Sequence, residues 1–491
     1  MNDRTQSTPA LSAQTMPAPS AQTMSVKRAE VEFHNFASLG EPERASRVYA
    51  EENERRGAIL RKHAAFTGSY TPFLEIGANA GHTSYMLVNE MGAAGFALDI
   101  SADSLRHGIA LQEQWGMPLA PMRMAGDALR LPFQDGSLRT VLAFQMLSQF
   151  QDIEAVFLEV KRVLEPGGIF IFGEEPMRRA LSLRLYRCPY VETMKPWEKK
   201  LHEWGLLGYL VRDVIGAHQE ESFGIRQNHR MNLRHWHDLV RKHFVAQEYE
   251  ICVPERGWGE RAMKRLARWL DPHGSDWRGA RALGGTLAAF CRKAGESPHI
   301  IRDPEYFDFL LRCPDCGGNF ERRDDGTLAC QSCTYSAPHE GGVYNLLNSA
   351  DKLELYPGDR ADVIDFSLPG HDGRLGEGWY ALEGVYGNRY RWIGARATAS
   401  LGNVRGGAQR LRIRGFAPER PEQLFRVALK VNRQAIGEWK LDRSGLFVIE
   451  QDVPDSSNYE IEIGVTPLWQ PDGDARQLTV NFSMIRLVPV D

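Results

Sequence analysis

The stretch Pro72-Phe-Leu-Glu-Ile-Gly-Ala-Asn-Ala-Gly81 decides the fold of this 491-residue chain. An apolar run that contains an acidic residue leads into a Gly-x-x-x-Gly turn, and an amphipathic segment follows. This order is typical of a parallel strand that passes into a helix beneath a bound nucleotide, because glycine lets the backbone approach the ligand closely. The turn alone is weak evidence, since small glycine-rich turns are common, and the residues after it carry the argument.

Apolar strands alternate with amphipathic helices after the turn. Three of these strands end in or near a polar side chain: 94–99, 123–128 and 140–145. A fourth strand follows the Pro-Gly-Gly turn at 166–168. Two later runs, 247–253 and 285–292, predict a terminal hairpin. The alternation predicts an α/β fold with a doubly wound sheet.

In order and spacing, Glu75 to Gly81, Asp99, Gly126-Asp127 and Val163 to Gly168 resemble the successive motifs of class I S-adenosylmethionine-dependent methyltransferases. The resemblance covers residues 45 to 293 and implies a Rossmann-like domain with a seven-stranded sheet. The family usually has a glycine where this chain has Asn79. Because asparagine tolerates a left-handed backbone, we expect the turn to keep its shape.

The resemblance implies a set of cofactor-binding residues: Glu75, Gly77, Asn79, Gly81, Asp99, Ile100, Asp127, Ala128 and Gln145. Asp99 is expected to accept hydrogen bonds from both ribose hydroxyls, since a carboxylate offers two acceptor oxygens. Asp127 is expected to accept the adenine amino group, with Leu131 and Phe133 packed against the ring. The alternative for each acidic residue is a helix N-cap or a solvated strand end.

A catalytic base is harder to place. The segment between the fifth strand and the hairpin must form the substrate side, and it is rich in histidine and aromatic residues. Glu175 and His229 are our candidates for the base that a hydroxyl nucleophile needs, with Glu174 beside the first. Histidines in such helical regions are usually surface or packing residues, so this prediction depends on position alone.

Four cysteines have the spacing of a metal site. Cys313 and Cys316 form one Cys-x-x-Cys pair, thirteen residues separate it from the next pair, and Cys330 and Cys333 form that second pair. This spacing predicts a structural zinc ribbon, with zinc or iron bound by four thiolates. The run resembles small zinc-ribbon proteins that activate methyltransferases, which implies that the ribbon packs on the catalytic domain of the same chain and stabilises it.

Beyond residue 350 the helical pattern gives way to short alternating runs between turns. They predict an antiparallel β-sandwich or jelly roll. The start of this region resembles accessory sandwich domains found beside bacterial surface-glycan glycosyltransferases and methyltransferases. Trp379, Tyr390 and Trp392 are candidates for stacking on sugar rings, although we expect Trp392 to be a core residue. A chain truncated near residue 350 is expected to keep the cofactor site.

The predicted organisation is a disordered tail (1–27), a methyltransferase domain (28–298), a zinc ribbon (299–350) and a β-sandwich (351–491). No apolar run spans a membrane, and the N-terminus lacks a secretion pattern, so we expect a cytoplasmic protein. A basic amphipathic segment within 257–284 suggests peripheral contact with the inner membrane or an acidic substrate. The net charge of −4 makes a nucleic-acid partner unlikely.

Two classes of function follow. The first is an enzyme that moves a methyl group to an oxygen of a sugar, a lipid-linked glycan or another small molecule, with contact to a glycosyltransferase as one option. The second is a non-catalytic scaffold that binds S-adenosylmethionine within a glycan-assembly complex. RNA methylation is a further alternative. The oligomeric state does not follow from the sequence.

Overall fold

The structure is a computed structural model. It describes residues 42–150, 152–177, 233–252, 285–296, 302–368, 370–385, 388–418, 424–441, 444–471 and 473–490, together with the single residues 24, 27, 31 and 197. The predicted base His229 and the basic segment 257–284 lie outside the described residues. Among the described residues, no helix has both the length and the apolar character needed to cross a membrane.

Seven strands form the sheet that the sequence predicts: β1 Phe73–Ile76, β2 Gly95–Asp99, β3 Met122–Ala125, β4 Leu138–Phe144, β5 Leu164–Met177, β6 Ala246–Cys252 and β7 Gly285–Arg292. Their order is β3-β2-β1-β4-β5-β7-β6. The first five are parallel, while β7 runs antiparallel to both β5 and β6. The doubly wound sheet and the terminal hairpin are therefore confirmed.

Helices cover both faces of this sheet: α1 Pro42–Lys62, α2 Ala64–Thr67, α3 His82–Glu90, α4 Ala102–Gln114, α5 Ile153–Val163 and α6 Leu233–His243, with a short 3-10 turn at Leu147–Gln149. Every residue of β1 and β2 is buried, as expected for parallel strands with helices on both faces. Side-chain caps start two of the helices, since Ser101 accepts the N–H of Ser104 and Asp152 accepts that of Ala155.

A small three-stranded sheet carries the cysteine pairs. It follows a 3-10 helix, Pro304–Leu310, and consists of β8 Phe320–Arg322, β9 Leu328–Cys330 and β10 Ser336–Ala337. Its apolar residues belong to the same core cluster as the β1 and β2 side chains. The Phe307 and Phe96 rings, for example, have centroids 5.1 Å apart. This packing agrees with the expected contact between the ribbon and the catalytic domain.

Two further strands lengthen the large sheet to nine. They are β11 His339–Glu340 and β12 Val343–Asn345, and β12 pairs in parallel with β3. The predicted ribbon boundaries (299–350) therefore assign to the ribbon residues that belong to the methyltransferase sheet. The sequence does not reveal this strand pairing, because a strand of three residues is too short to show an alternating pattern. The unpaired edge of β3 favours pairing with any nearby extended segment.

Helix α7, Ser349–Leu355, then leads into a C-terminal β domain (residues 363–490). One sheet contains β13 Val363–Asp365, β14 Trp379–Val385, β15 Asn388–Ile393, β17 Gln409–Ala417, β20 Gly445–Val453 and β22 Asn481–Pro489. The other contains β16 Arg396–Gly402, β18 Arg426–Val431, β19 Gln434–Lys440 and β21 Asn458–Thr466. A 3-10 turn, His371–Arg374, precedes β14. The two antiparallel sheets share one apolar core, as the alternating pattern predicts.

Candidate cofactor site

Strained backbone marks one edge of the methyltransferase sheet. Three non-glycine residues adopt a left-handed conformation there: Asn79 (φ 52°) after β1, Gln145 (φ 55°) after β4 and Glu174 (φ 60°) near the end of β5. Such conformations cost free energy and concentrate at binding and catalytic sites. The carboxyl edge of parallel strands is also where ligands bind in open α/β sheets. The expectation that Asn79 keeps the turn in shape is confirmed.

The two glycines of this turn have different tasks. Gly77 has φ 67°, and a Cβ built there would lie 2.6 Å from Cγ of Met146, so a side chain would displace the loop after β4. Gly81 has φ 76° and is the N-cap of α3. Together they bring the turn close to the neighbouring loop and expose the first N–H groups of the helix.

Asp99 ends β2 and ties two loops together. Its Oδ2 accepts the N–H of Asn79 at 2.7 Å and its Oδ1 accepts the N–H of Ser101 at 2.9 Å. The residue is only 3% exposed. Two backbone donors thus fix the orientation of the carboxylate between the β1 turn and the start of α4, where the sequence places the ribose.

Asp127 follows β3 at the predicted adenine end, with the buried Ala128 beside it. Its Oδ1 accepts the N–H of Leu129 at 2.9 Å, and its Oδ2 lies 2.7 Å from Nζ of Lys27. Lys27 comes from the segment predicted to be a disordered tail, and this residue is 9% exposed in the structure. The buried lysine was missed because its surroundings have the composition of a tail.

Leu131 and Phe133 do not fit the predicted role of packing on adenine. Both are fully buried in the core that the sheet shares with the ribbon. Phe133 packs edge-on against Phe96, and its backbone forms a β-bridge with Leu311. The apolar residues after Asp127 therefore hold the ribbon in place. Ile100 is partly buried against a separate apolar cluster described below.

Glu75 is buried beneath the turn. The hydroxyl of Ser84 donates to its Oε2 at 2.5 Å, which connects β1 to α3. Burial raises the pKa of Glu75 to about 7, although the Ser84 hydrogen bond and the Arg56 charge favour the ionised form. The side chain is thus placed to hold the first turn of α3 under the predicted methionine end.

A polar cluster at this end was not predicted from the sequence. The Arg56 guanidinium, from α1, lies 2.7 Å from Oε2 of Glu174 and stacks over the Phe144 ring at 4.7 Å. The Gln145 amide donates to the same Oε2 at 2.8 Å, and Arg55 lies 2.8 Å from Oε1. Burial alone would raise the pKa of Glu174, but the two arginines hold it below its usual range. Glu174 is therefore ionised at neutral pH.

His82 completes the cluster. Its ring stacks on Tyr49 with centroids 4.3 Å apart, and its Nε2 lies 2.9 Å from Oε2 of Glu52. Burial lowers the pKa of His82, so the ring is neutral near pH 7. Tyr49, Glu52 and Arg56 are three and four residues apart on one face of α1, a spacing that sequence reasoning could have used.

Glu175 has a different environment from the one that a base requires. Its side chain is fully buried, and its oxygens accept the N–H groups of Met146, Leu147 and Ser148 at 2.8 to 3.1 Å. Burial raises its pKa to about 7. Glu174 has a left-handed backbone at an irregularity in the β5–β7 pairing and reaches the polar cluster, while Glu175 anchors the loop after β4. This placement favours an anchoring role over the predicted catalytic one.

The four cysteines converge as the spacing predicts. The Sγ atoms of Cys313, Cys316, Cys330 and Cys333 all lie within 4.8 Å of one another. The Cys316–Cys330 and Cys313–Cys333 separations are 3.4 and 3.7 Å. Zinc–sulfur bonds of about 2.3 Å in a tetrahedron would place the sulfurs about 3.8 Å apart. The donor set and its size therefore fit a structural zinc ion, with iron as the alternative.

Comparison with known proteins identifies similar sequences for part of the chain. The sequence model of the family described as "Methyltransferase domain" matches residues 74–172. Norajmaline N-methyltransferase of Rauvolfia serpentina is 27% identical over 128 residues, which is 26% of this chain and 41% of that protein. A sterol 24-C-methyltransferase of Gibberella zeae is 30% identical over 126 residues, 25% of this chain and 33% of that protein. The chain thus matches less than half the length of these relatives.

Solved structures give distant likenesses. Phosphoethanolamine N-methyltransferase 2 of Haemonchus contortus, in complex with S-adenosyl-L-methionine, has a TM-score of 0.33 at 17% identity, covering 56% of this chain and 58% of that one. A putative sarcosine dimethylglycine methyltransferase from Galdieria sulphuraria has a TM-score of 0.32 at 15% identity, covering 50% and 86%. These likenesses are too distant to bear on the substrate. The family match supports a class I S-adenosylmethionine-dependent methyltransferase domain in this part of the chain.

Proposed function

We propose that this protein is an S-adenosylmethionine-dependent methyltransferase that acts on an oxygen of a saccharide-bearing acceptor. The observation that carries the first part is the order of groups along the carboxyl edge of the sheet. The turn of Gly77 to Gly81 follows β1, Asp99 ends β2 and Asp127 follows β3, the next strand outward. These positions suit the methionine, ribose and adenine parts of one extended cofactor.

The bound cofactor supplies an activated methyl group on its sulfonium, so the protein has mainly to position the reactants. Gly77 and Gly81 allow the positive-φ backbone of the turn, and Asp99 is held in a single orientation by two backbone N–H groups. Arg55, Arg56 and Gln145 fix the orientation of Glu174 at the predicted methionine end of the site. His229 stays our candidate for the base.

Aromatic residues on the C-terminal β domain support a saccharide acceptor. Tyr390 and Trp392 lie two residues apart on β15, and Ile393, the next residue, is buried in the core. Because side chains alternate along a strand, Tyr390 and Trp392 lie on the outer face. Trp392 is only partly buried and lies outside the core cluster, so the prediction that it is a core residue is wrong.

The outer face combines ring surface with polar groups. The Trp392 centroid is 6.1 Å from that of Tyr390 and 6.4 Å from that of Trp469. Arg476 lies at the rim, where it pairs with Glu383 at 2.5 Å and Asp474 at 2.7 Å. Partly exposed rings can pack on the C–H faces of sugars, while the nearby carboxylates and the Arg476 guanidinium can bond hydroxyls. This composition is expected of a site for a polar ligand with apolar faces.

Calorimetric titration with S-adenosylmethionine and its demethylated product tests the proposal. Asp99→Ala should weaken both by about 2 to 4 kcal/mol through the loss of two charge-assisted hydrogen bonds. Transfer of labelled methyl to purified saccharide acceptors then tests the substrate. A folded wild-type protein that binds neither cofactor form would overturn the enzyme proposal, whereas binding without transfer to any acceptor would favour the scaffold.

A further inference from the structure

A buried charge triad joins three distant parts of the chain. Nζ of Lys27 lies 2.7 Å from Oδ2 of Asp127 and 2.8 Å from Oδ2 of Asp351. The exposed fractions of the three side chains are 10%, 10% and 0%. Lys27 comes from the N-terminal segment, Asp127 from the predicted adenine end and Asp351 from the first turn of α7. The described part of the site therefore depends on residues far beyond the methyltransferase motifs.

Apolar contacts surround this triad. Met24 and Val31, on the same segment as Lys27, pack with Leu347 and Leu355 in one cluster, and Ile100 lies against it. Met24, Lys27 and Val31 are each helical and each less than 10% exposed. The Lys27 side chain thus reaches the two carboxylates next to these apolar side chains and is shielded from solvent.

The segment after the ribbon also packs next to the triad. The N–H of Leu346 donates to the carbonyl of Ala125 at 2.8 Å, directly before Asp127 in the sheet. The hydroxyl of Tyr356 donates to the carbonyl of Ile100 and accepts the N–H of Ala102, both at 2.8 Å. Residues 343–356 therefore cover the predicted ribose and adenine side, and Asp351 lies in the middle of that cover.

Charge balance gives Lys27 a specific task. Asn348 donates to Oδ2 of Asp351 at 2.8 Å, but Oδ1 of Asp351 has no hydrogen-bond partner among the described residues. Burial alone would lower the pKa of Lys27, whereas the charges of Asp127 and Asp351 raise it, so the lysine is a cation across the physiological range. Without this cation, two carboxylates would share a poorly solvated site, and one of them would take up a proton.

We propose that Lys27 is a positioning residue for adenine recognition, which keeps Asp127 ionised and oriented as the acceptor of the adenine amino group. Through Asp351, the same lysine couples this acceptor to the segment that follows the zinc ribbon. The proposal rests on the cofactor assignment above and adds the N-terminal segment and α7 to the cofactor site.

The hydrogen-bond donors around Asp127 indicate that Lys27 orients this carboxylate and does not compete with adenine for it. Leu129 and Lys27 bind different oxygens of Asp127, at 2.9 and 2.7 Å, so each oxygen has one fixed donor and keeps acceptor capacity for another. The charged groups that face Lys27 are Asp127 and Asp351; Asp99, Asp103 and Arg106 act on the neighbouring Tyr356 hydroxyl. Lys27 is therefore the main counter-charge for both carboxylates.

The test compares S-adenosylhomocysteine with S-inosylhomocysteine, which carries a carbonyl oxygen in place of the adenine amino group. The full-length wild type should prefer the adenine form at every pH from 6 to 8.5. Lys27→Met should lose about 10- to 100-fold in affinity for the adenine form at pH 6, the range for a lost charge-assisted hydrogen bond. Its preference over the inosine form should shrink at pH 6 and return towards pH 8.5 as both carboxyl groups ionise.

A second substitution separates charge from packing. In Lys27→Met with Asp351→Asn, a single carboxylate is left in the site, so the preference for adenine at pH 6 should return. Lys352→Met is the matched control, because Lys352 is a partly buried lysine of α7 that contacts the Tyr335 ring and the Ser336 carbonyl instead. It should leave the discrimination unchanged.

The outcomes distinguish this inference from the cofactor assignment. A wild-type protein that binds neither nucleoside would overturn the assignment itself. A wild-type protein that binds and discriminates, together with a Lys27→Met protein of equal or higher affinity at pH 6, would overturn the role of Lys27. Loss of affinity that is independent of pH and persists in the double variant would show a structural contact only and would also overturn it.

Discussion

The predicted ribbon, with strands β8 to β10, and the C-terminal β domain both follow the methyltransferase sheet along the chain, yet they join it in different ways. Phe307, Leu310 and Phe320 of the ribbon lie in the same core cluster as Phe96 and Leu98 of the sheet. The β domain has a core of its own, which begins at Ile364. The ribbon is thus part of the folding unit that forms the cofactor site, whereas the β domain is an attachment.

Hydrogen bonds show the same difference. The ribbon is joined to the loop after β3 by backbone bonds, since Gln134 donates to the carbonyl of Leu310 at 2.8 Å and Arg312 donates to that of Pro132 at 3.1 Å. The β domain is tied to α7 by an ion pair between Arg405 and Glu354 at 2.5 Å. Main-chain hydrogen bonds thus join the ribbon to the sheet, whereas side-chain ion pairs of Glu354 with Arg405 and Arg486 join α7 to the β domain.

Removal of the metal should cause the largest difference in stability between the methyltransferase unit and the β domain. Cys316→Ser should lower the melting temperature of the methyltransferase unit and abolish cofactor binding, because metal binding and ribbon folding are one equilibrium. Ser332→Ala, in the second cysteine turn but not a ligand, is the control. Elemental analysis, thermal melting and calorimetry measure the three quantities. A well-folded protein with less than about half an equivalent of zinc or iron would contradict the four-thiolate site.

Two truncations locate the border between the unit and the attachment. A chain ending after residue 350 loses Asp351 and Tyr356 and should bind S-adenosylhomocysteine at least about tenfold more weakly, since each residue makes a buried polar contact at the cofactor side. A chain ending after Gly358 should keep wild-type affinity. From the sequence alone we expected a chain truncated near residue 350 to keep the cofactor site; from the structure we expect this of a chain that ends after Gly358. Equal affinities for the two truncated chains would place the border earlier than we do.

How much the sequence predicts depends on how local each signal is. The Gly77 to Gly81 turn, Asp99 and the cysteine pairs could be predicted because each is a short pattern with its own physical meaning. Strand β12 and Lys27 could not, since the partners of Lys27 lie 100 and 324 residues away along the chain and the partner strand of β12 lies 220 residues away. The sequence placed two adjacent glutamates near the end of the fifth strand and favoured Glu175. It could not show that Glu174 is the one that joins the polar cluster.

The unit and the attachment should also differ in their response to pH. His82 has a lowered pKa in the folded protein because it is buried, so the unfolded chain binds the proton more tightly. The stabilisation is therefore complete above pH 6.5 and is lost as the pH falls below that value. Through this group the methyltransferase unit should lose at most about 1.4 kcal/mol of unfolding free energy between pH 7.5 and 5.5, and the β domain should not show this loss.

His82→Phe is the matched variant for this test. It keeps a ring against Tyr49 but cannot take up a proton, so its melting curve should change less with pH than that of the wild type. Glu75 and Glu175 have raised pKa values and act in the opposite direction between pH 4.5 and 7. The difference between the two proteins removes their contribution. An identical pH dependence in both would show that another group controls acid sensitivity.

The smallest effect on stability is expected at Trp392. Because this ring lies on the outer face and outside the core, Trp392→Ala should cost less than about 1 kcal/mol of unfolding free energy. Trp379→Ala is the contrast, since Trp379 packs against the core and donates its Nε1–H to the Thr398 carbonyl at 2.7 Å; it should cost about 3 to 5 kcal/mol. Saccharide binding to the full-length chain, measured on a glycan array, should be lost with Trp392→Ala while affinity for S-adenosylhomocysteine stays unchanged. If both variants melt like the wild type and bind the same saccharides, the outer face is not the acceptor surface.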